Sequence, residues 1–297
     1  MPGTFGDGNA GSALRAPTPL HAFNRYEIKY LVDVAELPAL RAELERRLDP
    51  DVHAGAAPHP HPDLDSHAAG YGVWSVYYDT ADLRFYWEKI EGLRFRRKLR
   101  IRRYGTDRLT DDEEPVHVEI KQRVNRVTQK RRLRLPYREA LRLCDQRQPV
   151  DCPEPDRALA EEVLGLVCGL DLRPTTMTGY LRSPYVGRDA ELGLRVTIDQ
   201  RVRGRDRDLR FGSVGENRFL VPPTRAVVEI KADERVPYWL TDLTASLNLS
   251  VVRLSKYCQS VEVFGRAPRS RFHLPADACP DDQPTPHPVT EEELSCR

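Results

Sequence analysis

Apolar residues recur along the chain with two periods. Leu37, Leu40, Leu44 and Leu48 follow one another at helical spacing, behind Asp33 and Glu36, which have the separation of a capping box. A helix is expected there. Weaker helical patterns cover 138–146, 155–168, 237–247 and 254–264. Elsewhere the period is two. Segments 26–31, 72–79, 93–104, 115–122, 128–136, 175–186, 194–202 and 226–231 alternate, or are rich in β-branched and aromatic residues, and read as strands. Helices interspersed among about eight strands make the class α+β, and about eight strands suffice to close a small barrel around one ligand.

The polar half of the alternation carries the chemistry. Glu27-Ile28-Lys29, Glu119-Ile120-Lys121 and Glu229-Ile230-Lys231 repeat one pattern in three distant segments. Successive side chains of a strand point to opposite faces, so each Glu shares a face with its Lys, and Ile takes the other. Arg96, Lys98, Arg100 and Arg102 alternate in the same way with Phe95, Leu99 and Ile101. Lys130, Arg132 and Arg134 alternate with Arg131, Leu133 and Leu135, and Arg195, Thr197, Asp199 and Arg201 with Leu194, Val196 and Ile198.

Two arrangements satisfy this pattern. Either the charged faces are the solvent side of an antiparallel sheet, or they line a barrel whose apolar outside lies beneath helices. The bias in charge type favours the second, because bases dominate where a solvated face would mix signs and carry more uncharged polar residues. Like charges held close together repel, so a cation-dense interior needs a polyanion. Arg forks match phosphate oxygens and Lys adds point charges. The few Glu suit a hard divalent cation that rides on phosphates.

Composition narrows the options. The 297 residues carry 46 Lys and Arg against 45 Asp and Glu, a net charge of +1, so the whole-molecule charge gives no reason to expect nucleic acid. Phe95, Tyr104 and Tyr137 near the basic strands are accounted for as strand or turn residues rather than base-stacking platforms. No run of about 20 apolar residues suggests a membrane span, and 1–19 has no signal-peptide core. Residues 1–20 and 267–297 read as disordered arms around an ordered unit at 21–266. Within that unit, 51–70 reads as a flexible insertion. Its His53, His59, His61 and His67 lack the anchoring that a metal set needs. The six cysteines, Cys144, Cys152, Cys168, Cys258, Cys279 and Cys296, show no C-x-x-C spacing and are expected to be free thiols in a cytoplasmic protein. There is no Ser-His-Asp set, Cys-His pair or Gly-rich phosphate loop.

Several segments in order carry a family resemblance: Arg25-Tyr26-Glu27-Ile28-Lys29-Tyr30, Ser75-Val76-Tyr77-Tyr78-Asp79-Thr80, Arg100-Ile101-Arg102-Arg103-Tyr104-Gly105, Val118-Glu119-Ile120-Lys121, Leu181-Arg182-Ser183, Arg195-Val196-Thr197-Ile198-Asp199, Val228-Glu229-Ile230-Lys231 and Leu254-Ser255-Lys256-Tyr257. Together they resemble the polyphosphate polymerase domain of the vacuolar transporter chaperone (VTC) family, in the CYTH-like triphosphate-tunnel group. The resemblance covers most of 23–264. It implies a closed antiparallel β-barrel tunnel with a charged interior and helices packed outside. It also implies a phosphotransferase that moves the γ-phosphoryl of ATP onto a growing polyphosphate chain and releases ADP, with a divalent metal, Mn²⁺ or Mg²⁺.

Position by position, the resemblance makes Arg100, Arg102, Lys121 and Arg195 catalytic. Lys29, Lys130, Arg182, Lys231 and Lys256 become phosphate ligands, and Glu229, with Glu119 and Glu27, metal ligands. Hydrolytic members of the wider group begin with E-x-E-x-K, and here Arg25 takes the place of the first Glu, which favours the polymerase branch. The phosphate-sensing domain and membrane helices of eukaryotic members have no counterpart in the sequence, so export of product implies a separate membrane partner. The alternatives are a tunnel triphosphatase or nucleotide cyclase, and a non-catalytic polyphosphate-binding module.

Overall fold

The computed structural model describes residues 25–51, 70–105, 111–125, 127–188, 191, 193–233 and 235–267. The expected arm 1–20, the tail beyond Ala267, nearly all of the insertion 51–70 with its four histidines, and Cys279 and Cys296 lie outside them.

All eight expected strands form: β1 (Arg25–Asp33), β3 (Tyr71–Asp79), β4 (Phe95–Tyr104), β5 (Pro115–Val124), β6 (Val127–Pro136), β7 (Arg173–Gly187), β8 (Arg195–Arg205) and β10 (Arg225–Asp233). Three short ones join them: β2 (Leu48–Pro50), β9 (Arg218–Phe219) and β11 (Ser250–Val251). The eleven make one antiparallel sheet in the order β11-β1-β10-β8-β7-β3-β4-β5-β6, with β2 on β7 and β9 on β8.

This corrects the expected closed barrel. No ladder joins β6 to β1 or β11, so the sheet is open. The free side of β1 pairs instead with β11, through Tyr30↔Val251 and Leu31↔Ser250. At the other edge, β6 carries consecutive cations, Lys130-Arg131-Arg132, and charged edges resist the addition of another strand.

The open sheet is nevertheless strongly curled. β1 and β5 stand six ladder steps apart, about 29 Å in a flat sheet at ~4.8 Å per strand. Yet Lys121 Nζ on β5 lies 3.9 Å from Glu27 Oε2 on β1. The two halves therefore face each other across a trough.

The apolar parity of every long strand turns outward, beneath helices. Leu99, Ile101, Val118, Ile120, Leu133 and Leu135 pack with α3 (Tyr137–Cys144) and α4 (Glu154–Gly169). Tyr30, Val32, Val196, Ile198, Val228 and Ile230 pack with α1 (Leu37–Arg47) and α5 (Tyr238–Ser246). Burying each large aliphatic side chain is worth roughly 1.5–3 kcal/mol, so these two layers fix which face of the sheet is concave. Gly179 lets the Trp74 indole lie flat on β7, because a Cβ there would sit 2.4 Å from the ring.

Helix boundaries differ locally from the expected ones. Asp33 accepts from the Ala35 amide and caps a short 3-10 turn, Val34–Glu36, before α1 begins at Leu37. Leu48 leaves the helix for β2. The remaining helices are α2 (Arg84–Ile90), whose Phe85 joins the outer cluster while its Tyr86 packs with Tyr77 and Tyr257, and α6 (Lys256–Val263), which packs against the inward parity of β3 and β7. Tyr257 of α6 stacks on Tyr77 at 5.0 Å, and Thr176 of β7 hydrogen-bonds Ser260 at 2.8 Å. No described helix is long and apolar enough to cross a membrane. Cys144, Cys152, Cys168 and Cys258 are free thiols.

Candidate functional site

The charged parity of the strands converges in the trough. The register of β4, β5 and β6 stacks it in rungs, Arg100–Glu119–Arg132 and Lys98–Lys121–Lys130. Glu119 is 1 % exposed and is the hub of this flank. Arg100 donates to its Oε2 through Nε at 2.8 Å and Nη2 at 2.6 Å. Lys130 Nζ lies 2.8 Å from Oε1, Arg132 Nε 3.0 Å from Oε1, and Arg102 Nη1 3.9 Å from Oε2. One carboxylate thus faces four cations. Burial opposes its charge, but Arg100, Arg102 and Lys130 hold its pKa far below the usual carboxylate range.

The cations record the imbalance. Burial first, and then the neighbouring cations against the help of Glu27, push Lys121 down to about 8. Lys130 falls to about 8 as well, mainly through burial, despite its contact with Glu119. Burial resists ionisation of Tyr77, yet Arg100, Arg102 and Lys98 pull its hydroxyl down to about 7; it accepts from Arg100 Nη1 at 3.1 Å. His117, opposite Arg102, is pushed down to about 4 by burial and by Arg132, so it is neutral at pH 7. Arg102 donates to Ser75 Oγ at 3.0 Å and Tyr180 Oη at 3.3 Å.

The opposite flank, β1 and β10, is balanced. Glu27 lies opposite Lys231, and Lys29 opposite Glu229, a checkerboard built by two of the Glu-Ile-Lys repeats. Lys29 Nζ is 2.9 Å from Glu27 Oε1, and Lys231 Nζ is 2.6 Å from Glu229 Oε1. Burial works against both carboxylates. Lys29 is the main group that lowers the pKa of each, and Glu229 is held well below its ordinary range.

The floor between the flanks is a third cluster. Asp199 on β8 is fully buried. It receives a two-pronged bond from Arg182 of β7, at 2.7 and 2.8 Å, and Lys256 Nζ at 2.6 Å from the start of α6. Arg195 stands at the side, 2.8 Å from Asp51.

The trough therefore gathers every residue singled out in the sequence, though not in equal roles. Lys29, Arg100, Arg102, Lys121, Lys130, Arg182, Lys231 and Lys256 line it, and Arg195 is turned to Asp51. Among the three carboxylates, Glu119 is fully committed to cations. Glu27 and Glu229 are close enough for Glu229 to oppose the ionisation of Glu27, so these two fit a divalent cation that takes its other ligands from phosphate oxygens. Among the described residues no group of three or more His, Cys, Asp or Glu could hold a metal alone. The sequence placed Lys98, Arg132 and Asp199 on the charged parity of their strands, and Tyr77 in a segment of the family resemblance, without assigning any of them a site role. Asp51 carried no signal.

A family model, the VTC domain, matches residues 24–265. The chain belongs to the VTC-domain family. No curated protein matches the sequence. Three solved structures are similar to this VTC domain at low identity. A candidate adenylate cyclase from Bacillus halodurans has 13 % identity and a TM-score of 0.43, over 78 % of this chain and 96 % of its own. A protein from Pyrococcus horikoshii has 11 % identity and a TM-score of 0.37, over 81 % and 100 %. A candidate adenylate cyclase from Vibrio parahaemolyticus has 9 % identity and a TM-score of 0.36, over 76 % and 90 %. Likeness this loose carries neither activity nor substrate over to the VTC domain described here.

Proposed function

We propose that this VTC domain is an ATP-dependent polyphosphate polymerase. The carrying observation is the cation excess around Glu119: four cations on one carboxylate, beside two lysines depressed to about 8. Such a cluster is electrostatically unsatisfied until a polyanion enters.

A terminal oxygen of the growing chain attacks the γ-phosphorus of ATP. A new P–O–P link forms, the bond from the γ-phosphorus to the bridging oxygen breaks, and ADP leaves with that oxygen. Positioning and charge stabilisation do most of the work in such transfers. Arg100 and Arg102 fork the transferring phosphoryl, and Lys121 and Lys130 hold the acceptor end of the chain. Lys29, Lys231, Arg182 and Lys256 hold the ATP phosphates on the other flank and floor. Arg195 swings from Asp51 to the leaving diphosphate.

Glu27 and Glu229 would hold Mg²⁺ or Mn²⁺, which when bound neutralises phosphate charge. Glu119 keeps Arg100 and Arg132 aimed into the trough. The testing experiment incubates purified protein with ATP and Mn²⁺ or Mg²⁺ and resolves products by gel and phosphorus NMR. Long polymer with matching ADP is expected. Orthophosphate or cyclic nucleotide without polymer, or intact ATP, contradicts the proposal.

A further inference from the structure

The rungs of β4 and β5 continue past Lys98–Lys121 to one more, in which Arg96 lies directly opposite Arg123. Both have the parity of Lys98, Arg100 and Arg102, so they extend the charged face. Like charges directly opposite on neighbouring strands destabilise a sheet. At the Glu119 rung a carboxylate relieves that repulsion. At this last rung nothing does: among the described residues neither arginine has a carboxylate partner, and Arg123 Nε only donates to the Asn125 carbonyl at 2.9 Å. Lys89 of α2 adds to the field, its pKa lowered by burial and then by Lys98, Arg96 and Lys29. Arg96 is likewise lowered, by burial and by Arg123.

A sheet keeps such a rung at a cost in stability unless a ligand uses it. From Glu119 to Arg123 is four residues, about 14 Å along the strand at ~3.4 Å per residue. That reach goes beyond the phosphates held at the Glu119 and Lys121 rungs.

We propose that Arg96 and Arg123 form a distal polyanion site that binds the phosphates of a chain already leaving the trough. The inference rests on the polyphosphate reading above for its ligand, but it concerns binding and is tested without turnover. The site selects chain length: a triphosphate ends before it, and a long polyphosphate crosses it.

The experiment measures the affinity of full-length protein for tripolyphosphate and for a polyphosphate of several tens of units, by calorimetry at fixed salt. It compares wild type, Arg96→Gln/Arg123→Gln and the charge-keeping Arg96→Lys/Arg123→Lys. The Gln pair is expected to bind tripolyphosphate like wild type and to lose about tenfold in affinity for the long chain, with a shallower salt dependence. The Lys pair is expected to retain long-chain affinity, which separates lost charge from damaged structure. Unchanged long-chain affinity in the Gln pair overturns the proposal, and so does an equal loss for both ligands. If ATP yields no polymer while the selective loss is present, the distal site stands and the polymerase reading fails.

Discussion

The two flanks of the trough are built from the same Glu-Ile-Lys repeat and come out different. On β1 and β10, each Glu lies opposite the other strand's Lys, and charge closes locally. On β4, β5 and β6, the third Glu-Ile-Lys copy sits between strands that carry four and three bases and no acid on that face, and Glu119 is left to serve four cations. The same motif thus gives a balanced carboxylate pair that can accept a cation and an overcharged hub that can accept an anion. What decides between them is the neighbouring strand.

Breaking the overcharged flank has the largest expected effect. Arg100→Ala, Arg102→Ala or Lys121→Ala should each cost on the order of 10²–10³ in polymer synthesis, the scale for losing one preorganised charge-stabilising group. Full synthesis in Lys121→Ala, read by gel, contradicts the assignment.

The next effect separates the carboxylates. Glu119→Gln leaves four cations around a buried neutral side chain and should cost about 3–5 kcal/mol of stability, seen as a lower thermal midpoint that tripolyphosphate raises more than it does in wild type. Glu229→Gln should change the midpoint much less and instead weaken the dependence of activity on metal concentration. Equal destabilisation by the two variants would erase the contrast between the flanks.

The smallest effect is one of pH. Lys121 and Lys130 titrate at about 8 in the free protein, and a bound phosphate raises both. Below pH 8 they are protonated with or without ligand, so affinity is flat. Above it binding must recruit protons, and tripolyphosphate affinity should fall by up to about tenfold per pH unit for each lysine. Calorimetry in buffers of different ionisation enthalpy should show proton uptake at pH 8.5. Release, or no exchange, contradicts the assigned crowding.

Much of this was legible from alternation alone. Period two placed every long strand and both parities, and the excess of bases over other polar residues pointed the charged parity inward. Closure was not legible. Alternation says which way side chains point but not whether the last strand meets the first, and here β11 takes the free side of β1. The helix α2 was also hidden. Its aromatic run Arg84-Phe85-Tyr86-Trp87 has no cap of its own, and Asp79, upstream on β3, accepts from the Phe85 and Tyr86 amides at 2.8 and 3.0 Å. Tyr257 donates to the same carboxylate, which ties α6 to that corner. Asp51 as the partner of Arg195 follows from the pairing of β2 with β7, and three-residue strands leave no periodic signal.

The central claim is that the overcharged flank takes the transferring phosphoryl and the acceptor chain, while the balanced flank takes the metal beside the remaining ATP phosphates. A crystal structure with tripolyphosphate and Mn²⁺ tests it most directly. The account predicts phosphate oxygens on Arg100, Arg102, Lys121 and Lys130, and a metal held by Glu27 or Glu229. Phosphates outside the trough, or a metal coordinated by Glu119, would contradict it.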